Sequence, residues 1–119
     1  MTSEYLKAKL HHIRVTQADL EYEGSLTLDP VLMETVGILP FEKLLIADME
    51  NGNRFETYAI AGERGSGVCC LNGACAHMGK VGDRLIVMIF CHLSPEEAAN
   101  HSPRVVRLDE HNRVVAKAL

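Results

Sequence analysis

Residues 43–60 read KLLIADMENGNRFETYAI, and this stretch decides the fold class. Two apolar-rich runs, Lys43 to Met49 and Arg54 to Ile60, flank Asn51-Gly52. That dipeptide is the strongest short signal for a hairpin between antiparallel strands. Upstream, Leu6 to Thr16 (LKAKLHHIRVT) alternates with period two, apolar at even positions through Leu10 and then at odd positions Ile13 and Val15. A parity switch within one strand predicts a bulge or a bend. Downstream, Val68 to Leu71, Arg84 to Cys91, Arg104 to Leu108 and Arg113 to Ala116 complete six or seven strands. Two short helices interrupt them. Asp29-Pro30 supplies an N-cap with proline in the first turn, and Gly37 can end that helix in the left-handed conformation. Ser94-Pro95-Glu96-Glu97 has capping-box spacing and opens a helix to about Asn100. Short strands, few helices and the glycines between 62 and 82 predict a mainly β chain, a small barrel with tight corners.

The 119 residues are enough for one domain, 1–119, and nothing repeats or marks a linker. Leu, Ile, Val and Phe supply 33 of them, enough to fill a core. Twelve basic against sixteen acidic residues give a net charge of −4, with no basic stretch. That argues against nucleic acid or an anionic membrane as partner. The longest nearly uncharged apolar run, Leu85 to Leu93, is about half of what a membrane helix needs. The first fifteen residues are charged and lack the apolar core of a secretory signal, so the expected compartment is the cytoplasm. Four cysteines there are expected as reduced thiols.

Cys69, Cys70 and Cys75 with His77 invite a zinc reading. Structural zinc, however, takes paired cysteines at C-x₂₋₄-C spacing, whereas adjacent residues of a strand point to opposite faces. Core packing is the reading their spacing favours. His11 and His12 should likewise face opposite ways. The common motifs of serine hydrolases, P-loop nucleotide binders and zinc proteases are absent. Gly62 to Gly67 opens no clear helix, so it is no phosphate cradle. One unusual feature remains, Glu21-Tyr22-Glu23-Gly24-Ser25. A serine hydroxyl held against the preceding carbonyl can take the acyl group from nitrogen to oxygen, provided that donors stabilise the oxyanion. Taken alone, Gly-Ser is a turn.

It does not stand alone. Lys9-Leu10-His11, then Val15-Thr16, Ala18-Asp19-Leu20 and Tyr22-Glu23-Gly24-Ser25 come first. Asn51-Gly52-x-Arg54-Phe55-x-Thr57-Tyr58-Ala59-Ile60, Glu63-Arg64-Gly65-Ser66, Asn72-Gly73-Ala74-x-Ala76-His77 and Val81-Gly82-Asp83 follow. In this order and spacing they resemble the pyruvoyl-dependent bacterial aspartate 1-decarboxylases, across about residues 5 to 117. The resemblance implies a six-stranded double-psi β-barrel. It also implies a proenzyme that cuts itself between Gly24 and Ser25, giving a 1–24 β chain and a 25–119 α chain. An ester from the acyl shift, β-elimination and hydrolysis would leave a pyruvoyl group at position 25 and release ammonia. That ketone would condense with the amine of L-aspartate as a Schiff base and take the electrons left by CO₂, yielding β-alanine for pantothenate synthesis. No metal or pyridoxal phosphate is then needed.

By the same resemblance Ser25 and Tyr58 are catalytic, with Tyr58 the proton donor to the carbanion. Gly24, Ser25 and Thr57 serve self-cleavage, Thr57 as the oxyanion donor and also as a substrate contact. Lys9, Arg54, Asn72, Gly73, Ala74 and Cys75 line the substrate pocket, Arg54 holding a carboxylate. In an ideal strand Arg54 and Tyr58 share a face about 13 Å apart. His11 and Tyr22 read equally well as supports of the cleavage loop, and Glu63 to Ser66 as a structural loop or subunit contact. Cys75 departs from the family, which commonly has alanine there, and puts the pocket's size in question. A cytoplasmic homotetramer with sites between subunits is also implied. The competing readings are an uncut, non-catalytic barrel that serves as a binding module and, further off, a small zinc protein.

Overall fold

The computed structural model describes residues 1–117. It is mainly β, with nine strands in one hydrogen-bonded sheet where the sequence predicts six or seven. They are β1 (Ser3–Arg14), β2 (Gln17–Asp19), β3 (Ser25–Leu28), β4 (Lys43–Asp48), β5 (Arg54–Ala61), β6 (Cys69–Asn72), β7 (Arg84–Leu93), β8 (Arg104–Leu108) and β9 (Val114–Lys117). Helix α1 (Pro30–Val36) and helix α2 (Pro95–Ala98) are short. A single 3₁₀ turn spans Gly73–His77. The strand order is β2-β6-β3-β5-β4-β7-β1-β8-β9.

The local signals hold. β4 and β5 pair antiparallel around Asn51-Gly52, with Gly52 at φ +76°. In β1 the register against β7 shifts between Leu6 and Ala8 and again between His11 and Ile13. The second bulge falls where the apolar parity switches, so Leu10, Ile13 and Val15 all reach the core. Asp29 caps α1 by accepting the Val31 N–H at 2.9 Å, and Gly37 ends it at φ +83°. Ser94 and Glu97 form the expected capping box, although α2 stops at Ala98, short of Asn100.

Two strands were not foreseen, and both bear on the site. β2 pairs parallel with β6, and β3 lies between β5 (parallel) and β6 (antiparallel). Gly24-Ser25 is therefore not a free turn, because Ser25 is the first residue of a strand held on both sides. Leu26 and Leu28 of β3 are fully buried and pack with Leu44, Ile46, Leu71, Leu85 and Ile89. Each such side chain contributes about 1.5–3 kcal/mol by leaving water. The Gly62–Gly67 loop is structural, for Gly65 and Gly67 donate their N–H groups to the buried Asp29 carboxylate at 3.0 and 2.9 Å. Arg64 adds a two-pronged contact to Glu34 of α1.

Beneath the β4–β5 hairpin lies a pair of buried carboxyls, Asp48 and Asp83, each 2% exposed. Asp48 Oδ1 accepts from Glu50 N–H at 2.8 Å, and Asp83 Oδ2 accepts from Lys80 N–H at 3.1 Å. Asp48 Oδ2 meets no donor among the described residues. A proton held between the two carboxyls would fill that gap. Burial, the hydrogen bond to Asp83 and the charge on Asp83 push the Asp48 carboxyl up to about 6. Because the folded value lies above the unfolded one, the pair's contribution is fully present below the ordinary carboxyl range. It is lost as pH rises through about 6. Asp48→Asn supplies an amide N–H in place of that proton. The variant is expected to melt higher than wild type at pH 8, with the difference shrinking toward pH 5. Equal melting temperatures at pH 8 would rule the shared proton out.

Candidate active site

β3 gathers the site because its neighbours carry most of the other residues singled out in the sequence. Ser25 faces Asn72 in the antiparallel register with β6. On its other side Leu26 pairs with Ala59 of β5 in parallel. That ladder begins at Leu26 and Ala59, so Ser25 and Tyr58 are the residues just before it on the two strands, with Gly24 and Thr57 one further back. Both Thr57 and Tyr58 are half-buried.

Ser25 is fully buried. Its Oγ donates to the Glu23 carbonyl at 3.3 Å and accepts from Asn72 Nδ2 at 2.8 Å. The same Asn72 nitrogen donates to Thr27 Oγ1 at 2.8 Å. Gly73, at φ +60°, brings its turn hard against the chain just before Ser25. A Cβ there would sit 2.7 Å from the Tyr22 carbonyl oxygen and 2.8 Å from the Gly24 nitrogen. A side chain at 73 would therefore displace backbone, which only glycine avoids. Gly24 itself is exposed. Beside this cluster lies a groove of about 320 Å³, lined by Asp19, Tyr22, Thr27, Cys70 and Asn72 among others.

The remaining residues divide. Ala74 is exposed on the 3₁₀ turn, whereas Cys75 beside it is 8% exposed and packs with the core. Arg54 stands exposed at the far end of β5, opposite Ala47 of β4. Lys9 lies on β1 between Met88 and Val105, with β4 and β7 separating it from β5. Three strand spacings put it about 14 Å from β5 along the sheet. Within one chain, then, the fold brings Gly24, Ser25, Asn72 and Gly73 into contact, sets Thr57 and Tyr58 beside them, and leaves Lys9 and Arg54 apart.

The histidine expectation is corrected. His11 and His12 do not face opposite ways, since their rings stack at 3.9 Å with 23° between planes. The bulge puts His12 at φ +69°, which breaks the alternation of the strand. Burial first, and then nearby cationic groups, hold both rings below the ordinary histidine range: His12, Lys9 and Arg107 act on His11, and Arg84, Arg14 and Arg107 on His12. Cys69 and Cys70 are both buried, Cys69 in the core and Cys70 lining the groove. No three His, Cys, Asp or Glu side chains come together as metal ligands among the described residues.

Sequence reasoning missed Thr27 and Cys70. They pair with each other in the β3–β6 register, two residues from Ser25 and Asn72 respectively. Residues two apart share a strand face. That parity is a signal only once the strands and their register are known.

A constellation of this kind can bind a small molecule at the groove and hold a serine Oγ beside a peptide bond. Comparison with known proteins gives it a chemical context. The family model described as Aspartate decarboxylase matches residues 1–115. The chain is 54% identical over 117 residues to the aspartate 1-decarboxylase of Lactiplantibacillus plantarum, covering 98% of this chain and 90% of that protein. It is 50% identical over 115 residues to that of Caldicellulosiruptor saccharolyticus, covering 97% and 90%. Against that of Clostridium acetobutylicum it is 52% identical over 109 residues, covering 92% and 86%.

Proposed function

The chain belongs to the aspartate decarboxylase family, and from that premise we propose that it is a self-processing carboxy-lyase. It converts L-aspartate to β-alanine and CO₂ and serves pantothenate synthesis. The observation that carries the self-processing reading is Ser25, fully buried at the head of β3 with its Oγ held by Asn72.

The residues present fit a pyruvoyl group made from Ser25. The hydroxyl that must be lost already has a donor on it, Asn72, and an acceptor for its proton, the Glu23 carbonyl. Gly73 presses the preceding chain into place. A ketone at this position supplies an electron sink for the pair left behind by CO₂. The other work falls to side chains. Thr57, alongside Gly24, donates to the oxyanion during the acyl shift. Tyr58, alongside Ser25, hands its phenolic proton to the α-carbon after CO₂ departs. Arg54 takes a substrate carboxylate in a two-pronged contact. The Asn72-Gly73-Ala74 turn lines the pocket, and Lys9 adds a positive charge. Cys75, packed inward, shapes the turn from beneath.

Lys9 and Arg54 stand away from Ser25 within one chain, which supports a site completed by a neighbouring subunit in a homotetramer. The parallel pairs β1–β8, β2–β6 and β3–β5 tie strands distant in sequence. They support a six-stranded double-psi barrel as the core of the nine-strand sheet, carried within one domain. The net charge of −4, with no basic stretch, supports an enzyme that needs neither nucleic acid nor an anionic membrane as partner, and the cytoplasm remains the compartment we propose. Among the described residues no helix is long and apolar enough to cross a membrane. The direct test is turnover of L-aspartate by the purified chain with no added cofactor. β-Alanine is expected, and prior treatment with borohydride, which reduces a ketone, is expected to abolish it. Turnover that needs pyridoxal phosphate, or that survives borohydride, would overturn the reading.

A further inference from the structure

Asn72 does more than touch Ser25, because every polar atom of its side chain is engaged. The amide offers two N–H donors and one oxygen acceptor. Both donors are spent on hydroxyls of β3, Ser25 Oγ and Thr27 Oγ1, each at 2.8 Å. The oxygen faces Cys70 Sγ at 3.0 Å, and no other donor among the described residues reaches it. These four residues form a two-by-two patch, since Ser25 pairs with Asn72 and Thr27 with Cys70 across β3 and β6. Asn72 is 3% and Cys70 5% exposed, so water does little of this bonding.

An amide in such a place has two orientations. Turned over, its oxygen would accept the Ser25 proton and its N–H groups would crowd the thiol. As it stands, an N–H points at Ser25 Oγ. We propose that Cys70 and Thr27 are positioning residues for self-cleavage, holding the Asn72 amide so that its N–H meets Ser25 Oγ. This deepens the self-processing reading and rests on it.

The balance of the reaction shows why that orientation matters. In the acyl shift Oγ adds to the Gly24 carbonyl carbon, the Gly24–Ser25 C–N bond breaks, and the hydroxyl proton ends on nitrogen. In the elimination the Ser25 Hα leaves as a proton and the Cβ–Oγ bond breaks. Oγ then departs as part of the Gly24 carboxylate, leaving a Cα=Cβ double bond. Water replaces the nitrogen, ammonia is released, and a ketone remains. Oγ takes up negative charge when Cβ–Oγ breaks, and a donor aimed at that atom beforehand lowers the barrier. Cys70 suits the task, because burial and the nearby Asp19 charge push its thiol up and keep it an S–H donor.

The test compares Cys70→Ala with Cys70→Ser in freshly made, uncut chain. The first-order rate of fragment appearance is read by denaturing mass spectrometry, beside a thermal melt. Both variants remove the sulfur, but only serine keeps a donor. Cys70→Ala is expected to cleave about tenfold more slowly, the size of one lost hydrogen bond, and Cys70→Ser within about twofold of wild type. Alanine at the wild-type rate overturns the proposal. So does serine as slow as alanine, which would mean that the lost volume matters and not the donor. Should Cys70→Ala fail to fold, Thr27→Val carries the test. It is expected to cleave about fivefold more slowly, with Thr27→Ser normal, and a wild-type rate in Thr27→Val overturns the proposal. A wild-type chain that never cleaves sinks the self-processing reading itself. A wild type that cleaves beside an unaffected Cys70→Ala sinks the positioning role alone.

Discussion

Ser25→Ala is expected to fold, to remain one uncut chain of about 13.1 kDa, and to make no β-alanine. The argument is one of atoms. The acyl shift needs an oxygen on the side chain at 25, and alanine has none. The ketone that follows has no other source. The fold is expected to survive, since the variant leaves only one Asn72 N–H short of its Ser25 partner while Thr27 and Cys70 still hold the amide. That loss is worth about 1–3 kcal/mol for a buried donor. Circular dichroism and a thermal melt check the fold, denaturing mass spectrometry the cleavage, and an amine assay the product. Turnover in an uncut Ser25→Ala chain would mean that the ketone is not the electron sink.

Tyr58→Phe separates maturation from turnover. The ring stays, so the half-buried position on β5 keeps its packing, and only the phenolic oxygen is lost. Thr57, Asn72 and Ser25 are untouched, so self-cleavage is expected at the wild-type rate. Decarboxylation is expected to fall by about 10²–10⁴-fold, the range for removal of a positioned general acid. The loss should fall on kcat, because proton donation occurs only after CO₂ has left. A variant that keeps full turnover would take the proton-donor role away from Tyr58. One that fails to cleave would put Tyr58 in maturation instead.

What the sequence reveals of this fold is what is local. Asn51-Gly52, Asp29-Pro30 with Gly37, and Ser94 with Glu97 each encode a turn or a cap within a few residues, and each forms. The parity switch in β1 foretells its bulge, because burial of Leu10 and Ile13 on one side leaves no other way. β2 and β3 escape notice for the opposite reason. At three and four residues they are too short to show a period, and each is defined by partners about fifty residues or fewer away in sequence. The stacking of His11 on His12 depends on a left-handed φ that no composition announces.

The candidate site divides the same way. Gly24, Ser25, Asn72, Thr57 and Tyr58 are named by a resemblance to a family; the strand registers then pair Ser25 with Asn72 and start the β3–β5 ladder one residue after Ser25 and Tyr58. Cys70 and Thr27 carry no motif. Their place beside Asn72 follows from the pairing of β3 with β6, which only the folded chain supplies. Lys9 and Arg54 belong to the same motif set, yet one chain leaves them apart from Ser25.

Self-cleavage between Gly24 and Ser25 is the claim on which the rest depends. It is tested most directly by the intact mass of the purified protein under denaturing conditions, after incubation without protease. Two chains of 24 and 95 residues are expected, the larger lighter by one ammonia than simple hydrolysis would leave it. A single chain of 13.1 kDa, still whole after heating and prolonged incubation, would contradict the account and favour an uncut binding module.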